Sequence, residues 1–287
     1  MAIAALLIVA QLSVAESLED RLAPLAQAHK GHVAIAVKPL DGGGMFTLNA
    51  DERMPTASLI KLAVMVEAYW QAKEGKVKLA DMVTLRKEDQ VQGSGILTDH
   101  FTPGATFALR DAVRMMIVFS DNTATNLVLD KIGIKPVNDR MASLKLMQTR
   151  INAKVFRGST TSIDPEATKE FGLGSTTARE MVSLFDLIHR GQIVDADACK
   201  EMIGHLKKCE DKDKFTRLLP AGIAVAHKTG SVSDARTDAG ILYLKTGPVA
   251  LCVLTNQNED KSWIAENAGN QLCAKVAKAV YDHYSTK

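Results

Sequence analysis

From Leu59 to Val66 the chain is apolar at every position except Lys61, and the apolar character carries on to Trp70. A segment this apolar is buried all round, and its length favours helix over strand. An ammonium there gives up several kcal/mol of hydration and is almost never left without a partner. In a helix Ser58 and Lys61 are spaced i,i+3 and share a face. A hydroxyl beside a half-buried amine is an arrangement for activating a nucleophile, because the neutral amine accepts the hydroxyl proton. The same pair also reads as a serine N-cap with a snorkelling lysine one turn on. Ser-x-x-Lys arises by chance roughly once in a chain of this length, so the pair needs support from elsewhere.

The 287 residues are 46% hydrophobic and 24% charged, enough for one large or two intergrown domains with an ample core. A net charge of +2, with no basic run interleaved with aromatics, argues against a nucleic-acid or anionic-membrane partner. Ala2 to Ala10 is wholly apolar and is followed by Ser13-Val14-Ala15, a small-x-small cleavage pattern before Glu16. Residues 1–15 therefore read as a signal peptide, although the usual positive n-region is missing, and a periplasmic or secreted protein is expected. A buried N-terminal helix is the alternative. No other run reaches membrane-spanning length. Cys199, Cys209, Cys252 and Cys273 fit neither a zinc spacing nor a CxxC redox motif. Cys199 with Cys209 and Cys252 with Cys273 are conceivable disulfides, and buried free thiols are equally consistent. The seven histidines show no HExxH pattern, and His227 reads as a core or strand-edge residue, so neither a metal nor a cofactor is expected. A monomer is the expectation.

Ser17 to His29 is amphipathic. His32–Leu40 and Met45–Asn49 flank Asp41-Gly42-Gly43-Gly44 as a hairpin. Helical patterns cover a long run from Ser58, then Phe107–Phe119, Asn122–Ile132, Thr177–Arg190 and Asp197–Leu206. Strand character returns at Ile223–His227, Gly240–Leu244 and Val249–Thr255, before a last helix over Ile264–His283. Two strands first and three last predict an α/β fold: a five-stranded antiparallel sheet flanked by the terminal helices, plus an all-helical lobe. The sheet lobe is assigned to 16–57 and 207–287, and the helical lobe to 58–206.

Ser120-Asp121-Asn122 lies between two helical runs, where all three residue types are also good N-caps. Lys228-Thr229-Gly230 ends a predicted strand, whose edge amides can align an extended substrate while the cation and hydroxyl hold a carboxylate. Each run alone is weak. Ser58-x-x-Lys61, Ser120-Asp121-Asn122 and Lys228-Thr229-Gly230, in this order and on these elements, match the S-x-x-K, S-D-N, K-T-G pattern. The chain resembles the serine β-lactamase and penicillin-binding-protein superfamily, and class A β-lactamase-like serine hydrolases in particular. The resemblance implies a β-lactam or peptidoglycan-like small-molecule substrate and an acyl-enzyme on Ser58, with Lys61 as base or proton shuttle. It implies that Ser120 passes a proton to the leaving nitrogen and that Asn122 holds the substrate amide. It implies further that Lys228 and Thr229 bind the substrate carboxylate, while the backbone N–H groups of Ser58 and Ser231, next to Gly230, form the oxyanion hole. Arg236, in the loop after that strand, is a second carboxylate clamp or a solvated hairpin residue.

The departure is at deacylation. Class A enzymes carry Glu-x-x-x-Asn after the S-D-N run, and that Glu activates the hydrolytic water. The text Thr149 to Lys154 resembles the lead-in to that segment, which puts Val155 at the Glu position and Ser159 at the Asn position. Neither is a base. Asp164, Glu166 and Glu170 follow in a longer loop, and Glu166 is the first choice for a replacement. β-Lactam hydrolysis is the leading expectation. A DD-peptidase or esterase, or a sensor that stays acylated, are the alternatives.

Overall fold

The computed structural model describes residues 16–285. The signal-peptide reading of residues 1–15 lies outside them. Strands β1 (His32–Pro39), β2 (Phe46–Leu48), β3 (Ala224–Val232), β4 (Ala235–Leu244) and β5 (Gly247–Asn256) form an antiparallel sheet in the order β2-β1-β5-β4-β3. Both ends of the chain meet at the β1–β5 pairing, where His32 lies opposite Asn256 and Pro39 opposite Val249. The longer helices are α1 (Leu18–Gln27), α2 (Lys61–Lys73), α3 (Leu109–Val118), α4 (Asn122–Ile132), α5 (Ile134–Ser143), α6 (Pro165–Phe171), α7 (Ala178–His189), α8 (Ala196–Leu206) and α9 (Ala268–Ser285). Among the described residues no helix is long and apolar enough to cross a membrane.

Strand alternation sorts the core into two layers. Val33, Ile35 and Val37 of β1 join Leu242, Val249, Leu251 and Val253 in a cluster closed by Leu22 of α1 and by Leu272 and Val276 of α9. The other face presents smaller residues, Ala34, Ala36, Ala226, Ala239, Ala250 and Cys252, to the helical side. Small side chains let α7 and the turn before α2 come close to the sheet. The apolar run around Lys61 packs in that second cluster, with Leu59, Ile60, Leu62, Ala63, Val64, Met65 and Val66 all fully buried. Its first turn is a 3₁₀ segment, Ala57–Ile60, and the α-helix proper starts at Lys61.

Two sequence expectations change. The Lys228-Thr229-Gly230 run is not at a strand terminus: β3 continues to Val232 before a tight turn into β4. The ladder continues because β4 begins early enough to pair Ser231 with Arg236 and Gly230 with Thr237. Arg236 therefore sits inside β4 and not in a loop. Helices α5 and α6 were not expected. α5 carries the internal proline Pro136, and α6 is a seven-residue helix that Asp164 caps at its N-terminus, with Pro165 in its first turn.

Gly240 marks how closely β3 and β4 lie. A Cβ there would meet Ala226 O at 2.4 Å and His227 Cβ at 2.5 Å. Gly240→Ala is expected to lower unfolding free energy by about 1–3 kcal/mol through this overpacking. An unchanged midpoint in chemical denaturation would contradict it.

Candidate active site

The Ser58 turn is fixed by backbone contacts from two directions. Thr56 N–H donates to Gly174 O at 2.9 Å, and Thr237 Oγ1 donates to Thr56 O at 3.0 Å. Between them Ala57 takes a left-handed φ of 47°, uncommon for a residue with a side chain, and sends the chain into the 3₁₀ turn with Ser58 at the cleft. Gly230 allows β3 to lie against this turn, since a Cβ would come within 2.4 Å of Thr56 O and 2.9 Å of Leu59 N.

Lys61 is fully buried behind Ser58. Its Nζ donates to Ser120 O at 2.6 Å and to Asn122 Oδ1 at 2.8 Å, with Ser120 Oγ at 3.4 Å. Burial pushes its pKa well below the ordinary lysine value, the nearby Lys228 charge adds to this, and Asp121 opposes it. A neutral amine has two N–H bonds, and these two acceptors use both. Its lone pair is then left for a hydroxyl proton. Among the described residues no hydrogen bond joins Lys61 directly to Ser58, so at rest the amine is held by the Ser120–Asn122 side.

Ser120 supplies two of these contacts because it sits at a left-handed φ of 52° between α3 and α4. Its carbonyl also accepts from Ser94 Oγ at 2.7 Å, and its Oγ accepts from Lys228 Nζ at 3.0 Å. Asp121 caps α4 through Ala124 N–H at 2.7 Å and receives the amides of Ile96 and Leu97 at 2.7 and 2.8 Å. One carboxylate thus fixes both the helix start and the 92–97 loop across from it. Asn122 Nδ2 donates to Gln92 O at 3.0 Å. The loop was missed in sequence, and its signal was Gly93-Ser94-Gly95. A Cβ on Gly95 would overlap the Asp121 carboxylate at 2.3 Å, and one on Gly93 would reach Asn122 Nδ2 at 2.7 Å.

These parts surround a cleft of about 660 Å³. Ser58, Ser120, Asn122, Thr229, Gly230 and Ser231 line it, while Lys61 and Lys228 lie buried behind its walls. Lys228 donates to Thr229 O at 2.7 Å in addition to Ser120, and burial pushes its pKa down.

Arg236 does not reach this cleft. It is buried and donates to Ala235 O at 3.0 Å, to Ser262 O at 2.6 Å and to Val232 O, with its guanidinium over the Trp263 ring. A strand position turned into the fold, not a hairpin tip, consumes its donors in closing the β3–β4 turn. Glu166 does not reach the cleft either. It is exposed in the first turn of α6, and it is Thr168, with Gly158 and Gly172, that borders the cleft there. Val155 is at the cleft wall. Its backbone is clamped by Asn126, which accepts from Val155 N–H at 2.8 Å and donates to Val155 O at 3.0 Å. Among the described residues the carboxylates that border the cleft are Glu210 and Asp211. Burial works against ionisation of Asp211, but Lys214 at 2.7 Å and the Thr229 hydroxyl more than offset it and hold the carboxyl well below its usual range. Among the described residues no group of three or more His, Cys, Asp or Glu could hold a metal ion.

The sequence profile of the β-lactamase enzyme family matches residues 17–284. The chain belongs to that family. It is 22% identical to the β-lactamase CARB-4 of Pseudomonas aeruginosa, over 89% of this chain and 86% of that one. The structure of a β-lactamase from Sphaerobacter thermophilus superposes with a TM-score of 0.82 at 27% identity, covering 94% of this chain and 98% of that one. PBP-A has the same fold, with a TM-score of 0.81 at 23% identity over 94% of this chain and 96% of its own. The five-stranded sheet and the surrounding helices are thus those of β-lactamases and PBP-A alike.

A serine hydroxyl becomes a strong nucleophile only as its proton is removed. Lys61→Ala is expected to slow acylation of Ser58 by roughly 10²–10⁴-fold. Stopped-flow acylation with a chromogenic cephalosporin measures it, and a loss below about tenfold would remove Lys61 from that role.

Proposed function

We propose that the protein is a serine hydrolase that opens the amide of a β-lactam through an acyl-enzyme on Ser58 and releases the acyl group slowly. The observation that carries this reading is the desolvated Lys61 amine, held by Ser120 and Asn122 directly behind Ser58. Ser58 Oγ attacks the lactam carbonyl and its proton passes to Lys61. The backbone N–H groups of Ser58 and Ser231 bind the developing oxyanion. The C–N bond breaks as Ser120, between Lys61 and Lys228, returns a proton to the lactam nitrogen. Lys228 and Thr229 hold the substrate carboxylate, and Asn122 faces the substrate amide. The apolar segment before Ser13-Val14-Ala15 supports action outside the cytoplasm.

Slow release follows from the wall at Val155. Deacylation needs a water and a base. Val155 supplies no base, Glu166 stands outside the cleft, and Asp211 is engaged by Lys214 and Thr229. A long-lived acyl-enzyme is the property that would also serve a penicillin-binding sensor or a peptidase whose natural acyl acceptor is not water.

Intact-mass measurements against time after mixing with a penicillin test this. An adduct on Ser58 that outlasts the mixing by minutes, and is absent from Ser58→Ala, is expected. Absence of any adduct would overturn the reading. Val155→Glu is expected to shorten the adduct lifetime by about tenfold or more, and an unchanged lifetime would show that the missing carboxylate is not what limits release.

A further inference from the structure

The sheet face opposite Lys228 carries a second set of reactive groups. His227 is buried on β3, and its Nδ1 lies 3.0 and 3.1 Å from the two carboxylate oxygens of Asp238 on β4. Gly240 lies directly across from His227, where a Cβ would meet His227 Cβ at 2.5 Å. Phe215 stacks on it at 6.2 Å between centroids, and Phe215 N–H donates to Asp238 Oδ2 at 3.1 Å. The ring is therefore fixed in plane, with Nδ1 toward the carboxylate. The Cys209 thiol, in the segment that follows α8, interacts with the same ring. Cys209 also borders the Ser58 cleft. A thiol, an imidazole and a carboxylate in this order are the parts of a nucleophilic cysteine site.

We propose that Cys209, His227 and Asp238 form a nucleophilic cysteine site in the cleft wall, and that Cys209 takes up small organic disulfides there, closing the Ser58 cleft reversibly.

The charges around Cys209 agree. Burial opposes the thiolate, but the His227 charge, its hydrogen bond and Lys228 outweigh it, and the thiol is pushed below its ordinary value. The other three cysteines are pushed up by burial. The groups facing this pocket alternate in sign: Asp238 and Asp211 are the acids, and Lys228 and Lys214 are the bases. All four cysteines are free and buried, and of the four it is Cys209 that borders the cleft. In the exchange, the Cys209 sulfur attacks one sulfur of the disulfide. A new S–S bond forms, the old one breaks, and the second half leaves as a thiolate that takes its proton from water. The proton already on His227 stays there. The adduct projects into the cleft beside Thr229 and removes an anion that supports the Lys228 charge, so the carboxylate site is both obstructed and weakened. That consequence rests on the Ser58 reading, whereas the thiol chemistry does not.

The test uses dithiodipyridine and follows released pyridinethione. One equivalent per native chain, mapped to Cys209 by peptide mass, is expected. The rate should follow a midpoint below the ~8.5 of an ordinary thiol. Cys199, Cys252 and Cys273 should react only after unfolding. His227→Asn should slow the reaction by about tenfold or more at neutral pH. Because that variant removes a buried partner of Asp238, the wild-type pH profile stands as an independent arm. Ser58→Ala should label at the same rate. The labelled wild-type protein should be acylated by penicillin about tenfold or more slowly, with recovery on adding a thiol reductant. Labelling of Cys209 no faster than of the other three, or a midpoint at or above the ordinary thiol range, would overturn the site. Full acylation of the labelled protein would overturn the closing of the cleft. Normal labelling in a protein that penicillin never acylates would instead overturn the Ser58 reading alone.

Discussion

Everything at this site depends on an amine kept out of water. Lys61 is fully buried in the most apolar stretch of the chain, and the fold tolerates it only because Ser120 and Asn122 turn acceptors toward its Nζ. That requirement reaches far. Ser120 must take a left-handed backbone, Asp121 must cap α4 and tie the 92–97 loop, and Gly93 and Gly95 must let that loop approach. Burial also disfavours the charged form of the amine, so one constraint supplies both the architecture and the base.

The sheet contributes the opposite wall under equally tight conditions. β3 is an edge strand, which leaves one side open to the cleft. Its Gly230 meets the Ser58 turn at backbone distance, while Lys228 reaches Ser120 from behind. On the reverse face His227 and Asp238 bury a charge pair under α9 and Phe215. Along this strand Lys228 turns to one face, while His227 and Thr229, with Asp238 opposite Thr229, turn to the other, as strand alternation dictates.

The architecture was legible in the sequence because its signals are periodic: alternating apolar residues for the sheet, and long apolar-faced runs for α3, α4 and α7. Ser58, Lys61, Ser120, Asn122, Lys228 and Thr229 could be named because they fall in short runs in a telling order. The residues read less well are those whose role depends on distant neighbours. Arg236 looks like a hairpin arginine until β4 proves to start at Ala235, which turns the guanidinium toward the carbonyls of Val232, Ala235 and Ser262. Glu166 follows a proline in what reads as a loop, and the helix that Asp164 caps carries it to the outside. Cys209 and His227 are 18 positions apart with nothing local to link them. Only the return of the chain along β3 does so.

What the site requires is a Lys61 amine whose pKa burial holds well below the ordinary lysine value. Lysine side-chain NMR, with ¹³C-labelled lysine and Lys61 assigned by its loss in Lys61→Arg, measures this in the intact protein as pH is raised. A Lys61 transition well below the ordinary lysine value, separate from the surface lysines, is expected. A transition at or above that value would mean that the buried amine stays an ammonium, and that Ser58 must lose its proton to some other group.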